Sequence, residues 1–337
     1  MVLKAADELR HAWDEDPLWR ESWYYNFSDP LNQIGCWIYL WVVPNQPLKS
    51  GMLVCFYHGL AADFDSTEVA WKAPGHLHRG NNGSWVYCYK RDVAELLTQD
   101  VDDVEFCGLS MKRIDPLRLW RLGFNDGNNM RLDLNCEFMT RPWDFADNIH
   151  PTPGWLAANR YHRGWKAEGE LMVDGTTYKI RTTGDSDHSW GTRDMGIFFE
   201  QNTLKTYALQ TPDGSLSMKA QMLGYPGQEL PRGYIAIGDD MQAVKSIRQQ
   251  SRYHQNGLMH DISLRVEDVA GRVVEAHLDE LFAAVAGPGP NVGYEGAGVW
   301  KTNHWGECAG LASCWFVNGI SREQLHRGLA GKTECPP

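Results

Sequence analysis

The segment GDSDHSWGTRD (residues 184–194) concentrates side chains that can move protons. It contains three carboxylates, one imidazole, one guanidinium and one indole. In a β-strand, side chains two positions apart share a face, so His188 and Trp190 are predicted to point into one space, with Asp187 on the opposite face. An imidazole acts as a general acid or base near neutral pH, and the face of an indole stabilises a cation. The segment therefore predicts proton-transfer chemistry beside an aromatic wall.

The acid of such a site is left open by the sequence. A carboxyl group in an apolar cavity stays protonated because desolvation raises its pKa, and it can then protonate an alkene. Asp185, Asp187 and Glu200 are the candidates for this role. A β-bulge at Gly184 would change the face on which Asp185 lies. A structural interpretation stands beside the catalytic one, because Asp187 can cap a turn and Trp190 can belong to a core.

Short strands separated by turns surround this segment. Residues 130–137 alternate between apolar and polar side chains, and a period of two indicates a half-buried strand. VDG (173–175) and TPDG (211–214) are typical of hairpin turns. Few stretches have a helical period. The pattern predicts an all-β protein built from barrels or sandwiches.

The aromatic content points to a thick core or an aromatic-lined cavity. The chain has 15 tryptophans together with 33 glycines. Cavities that bind small molecules are lined by such rings and by a few polar groups. The candidate substrate-binding residues are Trp23, Tyr25, Asn26, Glu200 and His304.

Charge and motif content exclude several classes of function. The net charge of −11 disfavours nucleic acids and anionic membranes as partners. The apolar run CWIYLWVV (36–43) is too short to span a bilayer. We find no Walker A, HExxH or GxSxG motif and no GxGxxG motif after a strand, so neither a cofactor nor a metal is expected. The charged amino-terminal residues and the absence of CxxC pairs favour a cytoplasmic protein with reduced thiols.

Three pieces of the chain together resemble a known family. They are ESWYYNFSDP (21–30), DPLRLWRL (115–122) and the strand pair that leads into DHSWGTRD (187–194). In this combination the chain is similar to carotenoid 1,2-hydratase-like proteins, also called AttH-like, from about residue 20 to about residue 318. The resemblance implies two tandem lipocalin-like (calycin) antiparallel β-barrels with few short helices.

The expected domain boundary follows from composition. A proline-rich, irregular stretch at 147–160 is interpreted as the linker between the barrels. We therefore expect a first barrel over residues 1–150 and a second barrel over residues 151–337, with the DHSWG motif in the second barrel.

The resemblance also implies a function. Members of the family include hydratases of isolated terpenoid double bonds and fungal relatives that promote pericyclic ring closure of polyketides. We expect a cofactor-independent lyase, isomerase or cyclase that acts on a terpenoid- or polyketide-like small molecule. The His-x-Trp pair of the family matches His188 and Trp190, and Tyr207 matches its Tyr-x-Asp, although Leu209 replaces the aspartate. The alternative is a non-catalytic, lipocalin-like carrier or sensor of apolar ligands.

Overall fold

The computed structural model describes residues 3–61, 75–197, 203–225, 228–253, 259–286 and 292–316. These residues are nearly all β-structure. The three short 3-10 helices among them are Ala5–Glu8, Ala94–Leu97 and Phe145–Asp147. None of the described helices is long and apolar enough to cross a membrane.

Twelve strands form the first sheet. They are β1 (Trp19–Asp29), β2 (Ile34–Val42), β3 (Ser50–His58), β5 (His76–Arg79), β6 (Trp85–Asp92), β7 (Asp103–Phe106), β8 (Leu109–Asp115), β9 (Leu119–Asn125), β10 (Met130–Phe138), β11 (Trp143–Asp144), β12 (Asn159–Val173) and β13 (Thr176–Thr192). The strand order is β5-β6-β3-β2-β1-β13-β12-β10-β9-β8-β7, with β11 paired to β12. This sheet curves into a half-barrel.

Nine strands form the second sheet. They are β4 (Leu60–Ala61), β14 (Thr203–Gln210), β15 (Leu216–Gly224), β16 (Leu230–Ile237), β17 (Asp240–Tyr253), β18 (Met259–Asp268), β19 (Val273–Ala286), β20 (Val292–Thr302) and β21 (Gly306–Phe316). The pairing of β18 with β19 closes β14–β21 into an eight-stranded antiparallel barrel, and β4 adds to β19 in parallel. The predicted all-β, tandem-barrel architecture is confirmed.

The division between the two sheets differs from the expected boundary at residue 150. β12 pairs with β10, and β13 pairs with β1, so both strands belong to the first sheet. Apart from the two-residue β4, the strands up to Thr192 belong to the first sheet and those from Thr203 onward to the second, so the DHSWG motif lies in the first sheet. The proline-rich stretch before β12 connects two strands of one sheet. Composition marks a loop there, but it does not distinguish a loop within a sheet from a linker between domains.

Four apolar clusters lie among the described residues, and the smallest of them, around β11, β16 and β17, packs the first sheet against the second. One fills the inner face of the first sheet and includes Trp23, Tyr25 and Trp165. A second fills the closed barrel. The third joins the sheets, with Tyr57 of β3 and Phe282 of β19 among its members. We call this junction the seam.

Gly184 lies where β1, β12 and β13 approach closely. The pairing of β13 with both neighbours runs through this residue without a shift, so the β-bulge considered from the sequence is absent. A Cβ at this position would lie 1.9 Å from the carbonyl oxygen of Asn26 and 2.9 Å from the Trp165 ring. Only glycine allows this approach.

Gly184→Ala is therefore expected to lower the free energy of unfolding by about 1–3 kcal/mol, because the two strands must move apart. Urea unfolding followed by circular dichroism measures the change. Gly154→Ala is the matched control, because no atom lies within 4 Å of its Cβ position. Equal stabilities of the two variants would contradict the packing argument.

Candidate functional site

His188 and Trp190 lie on the same side of β13, as the alternation predicts, and both pack toward the core of the first sheet. The His188 side chain is 2% exposed. Trp23 lies opposite His188 in the β1–β13 register, and its ring stacks on the imidazole with centroids 4.8 Å apart. The ring of Trp190 is 5.0 Å away from the same imidazole. A buried imidazole is thus placed beside two indole rings.

Glu21 is the carboxylate partner of His188. Nε2 of His188 lies 2.9 Å from Oε1 of Glu21, and Nδ1 of His11 lies 2.7 Å from the same oxygen. The backbone N–H of His11 donates to both carboxylate oxygens at 3.1 Å. Burial opposes ionisation of Glu21, but the hydrogen bonds from His11 and His188 outweigh it, so the pKa of this carboxyl lies below its ordinary value. We call His11, Glu21 and His188 the triad.

Tyr161 completes the hydrogen bonds of His188. An ionised carboxylate only accepts hydrogen bonds. The proton in the hydrogen bond between His188 and Glu21 is therefore carried by Nε2 of His188. In a neutral imidazole Nδ1 is then the acceptor, and the Tyr161 hydroxyl lies 3.3 Å from it. Burial raises the pKa of Tyr161, so the hydroxyl is neutral and able to donate. The result is a Glu21–His188–Tyr161 chain in which both ring nitrogens of His188 have hydrogen-bond partners.

His11 is the member of the triad nearest to solvent. Its side chain is 21% exposed, whereas those of Glu21 and His188 are buried. The His11 ring stacks on Trp190 with centroids 3.9 Å apart and an interplanar angle of 7°. His11 and Trp190 are thus the partly exposed rings that cover the buried Glu21 and His188.

Glu8 fixes the amino-terminal segment that carries His11. Its carboxylate is 1% exposed and accepts from Nη2 of Arg163 at 2.6 Å and from the Trp120 indole at 3.1 Å. The backbone N–H of Leu117 donates to its other oxygen at 2.8 Å. The indole of Trp23 donates to the backbone carbonyl of Glu8. A buried ion pair thus positions the segment over the core of the first sheet.

Asp185 and Asp187 lie on the face of β13 opposite to His188 and point toward the second sheet. Lys219 of β15 and His162 contact Asp185, and Arg160 and His162 contact Asp187. Burial would raise the pKa of Asp185, but the charges of Lys219 and His162 lower it. Burial likewise opposes the charge of Asp187, and Arg160 and His162 hold its pKa well below the ordinary value. Neither aspartate is the protonated acid considered from the sequence, because each lies beside cations.

Two other predicted residues belong to β1. Tyr25 is on the core-facing side with Trp23 and meets Trp165 edge-on, with centroids 6.3 Å apart. Asn26 is buried on the opposite side, at the register position of Asp185. Among the described residues, neither side chain makes a hydrogen bond or a ring contact with the triad.

The remaining predicted residues lie away from the triad. Tyr207 is buried in the core of the closed barrel, where its ring is 5.8 Å from that of Trp300. His304 is exposed in the turn between β20 and β21. Glu200 falls outside the described residues. The structure therefore brings together Trp23, His188 and Trp190, but neither Tyr207 nor His304 joins them.

Three residues of the site were not among the predicted site residues. The sequence does contain an indication for Glu21. This residue lies two positions before Trp23, so alternation places its carboxylate on the same aromatic face of β1. Tyr161 lies opposite His188 in the β12–β13 register, which the sequence does not reveal. His11 comes from a segment outside the sheet and has no pattern that marks it.

The triad is also the donor set that suits a divalent cation. Its three potential ligand atoms lie within 4.8 Å of one another. Two imidazoles and a carboxylate are common ligands of transition metals. The same Glu21 oxygen lies at hydrogen-bond distance from both imidazole rings, so these atoms also form a hydrogen-bonded triad.

Two clefts lie elsewhere. One of about 540 Å³ runs over the outside of β17–β20 and includes Arg248, Arg265 and Lys301. The other, of about 230 Å³, lies where Lys166 of the first sheet meets Asp213 of the second. Neither cleft is lined by the triad.

Solved structures share this architecture. An AttH protein from Nitrosomonas europaea is 10% identical, with 90% of this chain and 97% of that chain covered and a TM-score of 0.52. CghA is 13% identical, with 91% and 89% covered and a TM-score of 0.51. Kievitone hydratase from Nectria haematococca is 13% identical, with 88% of each chain covered and a TM-score of 0.48. At these identities the likeness to the first two structures establishes the fold alone, and the fold that the resemblance to the AttH-like family implied is confirmed.

Sequence comparison gives the family directly. A search of the curated proteins finds no match. The family described as "Domain of unknown function (DUF7064)" matches residues 4–74 and 76–288, which include the whole triad. This match extends over most of the chain, and the protein therefore belongs to the DUF7064 family.

Proposed function

We propose that this protein is a cofactor-independent enzyme that moves a proton on a hydrophobic small molecule. Its reaction is that of a lyase, isomerase or cyclase, and His188 is the general acid–base group. The observation that carries the proposal is the 2.9 Å hydrogen bond between His188 and Glu21, buried beside the Trp23 ring. A carboxylate that fixes an imidazole leaves the other ring nitrogen ready to accept and return a proton.

The ionised state of Glu21 limits the types of reaction that this site suits. Protonation of an isolated alkene needs a strong acid, but the pKa of Glu21 is lowered, because its hydrogen bonds outweigh burial. An imidazole is better matched to removing a proton from carbon next to a carbonyl group. The C–H electrons then enter a conjugated enolate. The proton returns to another carbon in an isomerisation, or to a leaving hydroxyl in a dehydration.

Each side chain has a role in this proposal. His188 takes the proton at Nδ1 through the Tyr161 hydroxyl, which passes its own proton to Nδ1 as it receives the proton from carbon, and the Glu21 carboxylate stabilises the resulting imidazolium. The rings of Trp23 and Trp190 contact the apolar part of the substrate. A terpenoid- or polyketide-like enone or hydroxyketone has both the acidic C–H bond and the apolar body that these groups suit.

Solvent deuterium exchange tests the proposal. The purified protein is incubated in D₂O with a panel of terpenoid and polyketide enones and β-hydroxyketones, and mass spectrometry follows deuterium uptake and product formation. We expect uptake with the wild type. Glu21→Gln should lower the rate about 100-fold, because the amide cannot stabilise the imidazolium.

Glu105→Gln is the matched control, because this glutamate is exposed on β7 of the same sheet. It should leave the rate unchanged. A ligand that the wild type retains without deuterium uptake or conversion would favour the carrier and refute the enzyme.

A further inference from the structure

A second polar cluster lies on the other side of β1 and β13 from the triad. Arg20 and Ser22 alternate with Glu21 along β1 and therefore face the seam. Ser189 lies opposite Ser22 in register, and their Oγ atoms are 3.0 Å apart. Nη1 of Arg193, just beyond β13, donates to these two hydroxyls at 3.2 and 3.4 Å. Two guanidinium groups and two hydroxyls thus share one face.

An aromatic wall adjoins these groups. Tyr39 and Trp41 of β2 stack with ring centroids 5.6 Å apart and an interplanar angle of 25°. Nη2 of Arg20 donates to the Tyr39 hydroxyl at 2.8 Å, and its guanidinium carbon lies 5.9 Å from the Trp41 centroid. Both rings are half-buried and pack against the apolar cluster of the seam. The seam cluster comprises Arg20, Ser22, Tyr39, Trp41, Ser189 and Arg193.

The described side chains of the seam cluster include two cations, Arg20 and Arg193, and no carboxylate. Burial would raise the pKa of Tyr39, yet the charges of Arg20 and Arg193 lower it to about 8. Asp187 offsets part of the Arg193 charge. No carboxylate pairs with Arg20 among the residues that the structure describes, and its Nε has no hydrogen-bond partner there. A half-buried guanidinium without a counter-ion favours the binding of an anion.

We propose that the seam cluster binds an organic carboxylate with a flat aromatic or conjugated body. A guanidinium fork matches the two oxygens of a carboxylate, and the serine hydroxyls add neutral donors. The Tyr39–Trp41 wall contacts the apolar body of the ligand. The site is independent of the proposed function, because the triad faces the opposite side of β1.

Isothermal titration calorimetry with three probes tests this site. The probes are 2-naphthoate, the uncharged 2-naphthylmethanol and inorganic phosphate. We expect 2-naphthoate to bind the wild type at least about tenfold more tightly than either of the others, because only it offers both the charge and the ring. Arg20→Gln should weaken 2-naphthoate at least about tenfold. Arg193→Gln should also weaken 2-naphthoate binding at least about tenfold. It serves as the second variant if Arg20→Gln does not fold.

Absorbance titration gives an independent signal. Saturating 2-naphthoate neutralises the guanidinium charges and should therefore raise the pKa of Tyr39 above about 8. The pKa is measured by following tyrosinate absorbance as the pH is raised. Tyr39→Phe removes that tyrosinate signal and identifies it.

Arg248→Gln is the matched control for the ligand site, because Arg248 lines the cation-rich cleft over β17–β20, away from the seam cluster. It should leave 2-naphthoate binding unchanged. The proposal is overturned if 2-naphthoate and 2-naphthylmethanol bind equally, if phosphate binds as tightly as 2-naphthoate, or if Arg248→Gln rather than Arg20→Gln abolishes binding. None of these outcomes depends on turnover, so they leave the proposed reaction at His188 untouched.

Discussion

His188→Gln is expected to lower the turnover number about 100- to 10,000-fold with folding preserved. Glutamine can still donate to the Glu21 carboxylate from its amide, so the buried acceptor keeps a partner. It cannot accept a proton and return it near neutral pH, and the Glu21–His188–Tyr161 chain is interrupted. Initial rates on a substrate identified by deuterium exchange measure the loss, and circular dichroism confirms the fold.

The control for this variant is His277→Gln. His277 is 47% exposed on β19 of the second sheet, away from the triad. It should retain full activity. If His188→Gln kept more than about one-tenth of the wild-type rate, general acid–base catalysis by His188 would be ruled out, because such a group contributes at least about 100-fold.

Glu8→Gln is expected to lower the free energy of unfolding by about 3–5 kcal/mol, because it leaves the cation of Arg163 buried without a counter-ion. Arg163 is 2% exposed in the middle of β12, with its guanidinium carbon 3.2 Å from the centroid of the Phe138 ring. It cannot reach solvent without disrupting the sheet. Urea unfolding measures the effect.

A double-mutant cycle separates the ion pair from other effects of the substitution. Glu8→Gln combined with Arg163→Met should cost less than the sum of the single variants, because the second change removes the unpaired cation. Glu170→Gln is the surface control. Its partner Lys179 is 79% exposed, and exposed pairs contribute about 0–1 kcal/mol. Equal losses for Glu8→Gln and Glu170→Gln would contradict the buried-pair argument.

The two predictions concern one structural unit. The segment that Glu8 anchors also carries His11, which contacts Glu21 and covers Trp190. Loosening the anchor is therefore expected to disturb the triad as well as stability. Since the two histidines share one carboxylate oxygen, a displaced His11 leaves Glu21 with a single imidazole partner.

The sequence by itself determined the local geometry of the site. Because side chains alternate along a strand, the order of residues in β13 places His188 and Trp190 on one face and Asp185 and Asp187 on the other. The same rule places Trp23 and Tyr25 together on β1. Turn residues and the period of two also indicated the all-β fold, and the DHSWG segment together with ESWYYNFSDP (21–30) indicated a resemblance to the AttH-like family.

Only the tertiary structure decided which residues meet across the sheet. Strand pairing is set by hydrogen bonds between distant segments, so the sequence did not reveal that β13 joins β1 and brings Glu21 to His188. The ionisation of Asp185 was equally non-local, because the cation that lowers its pKa is Lys219, on a strand of the other sheet. Glu8 and Arg163 are 155 positions apart and have no shared periodicity. The folded sheet removes both charges from water, and each charge then needs an opposite charge beside it to offset the loss of hydration.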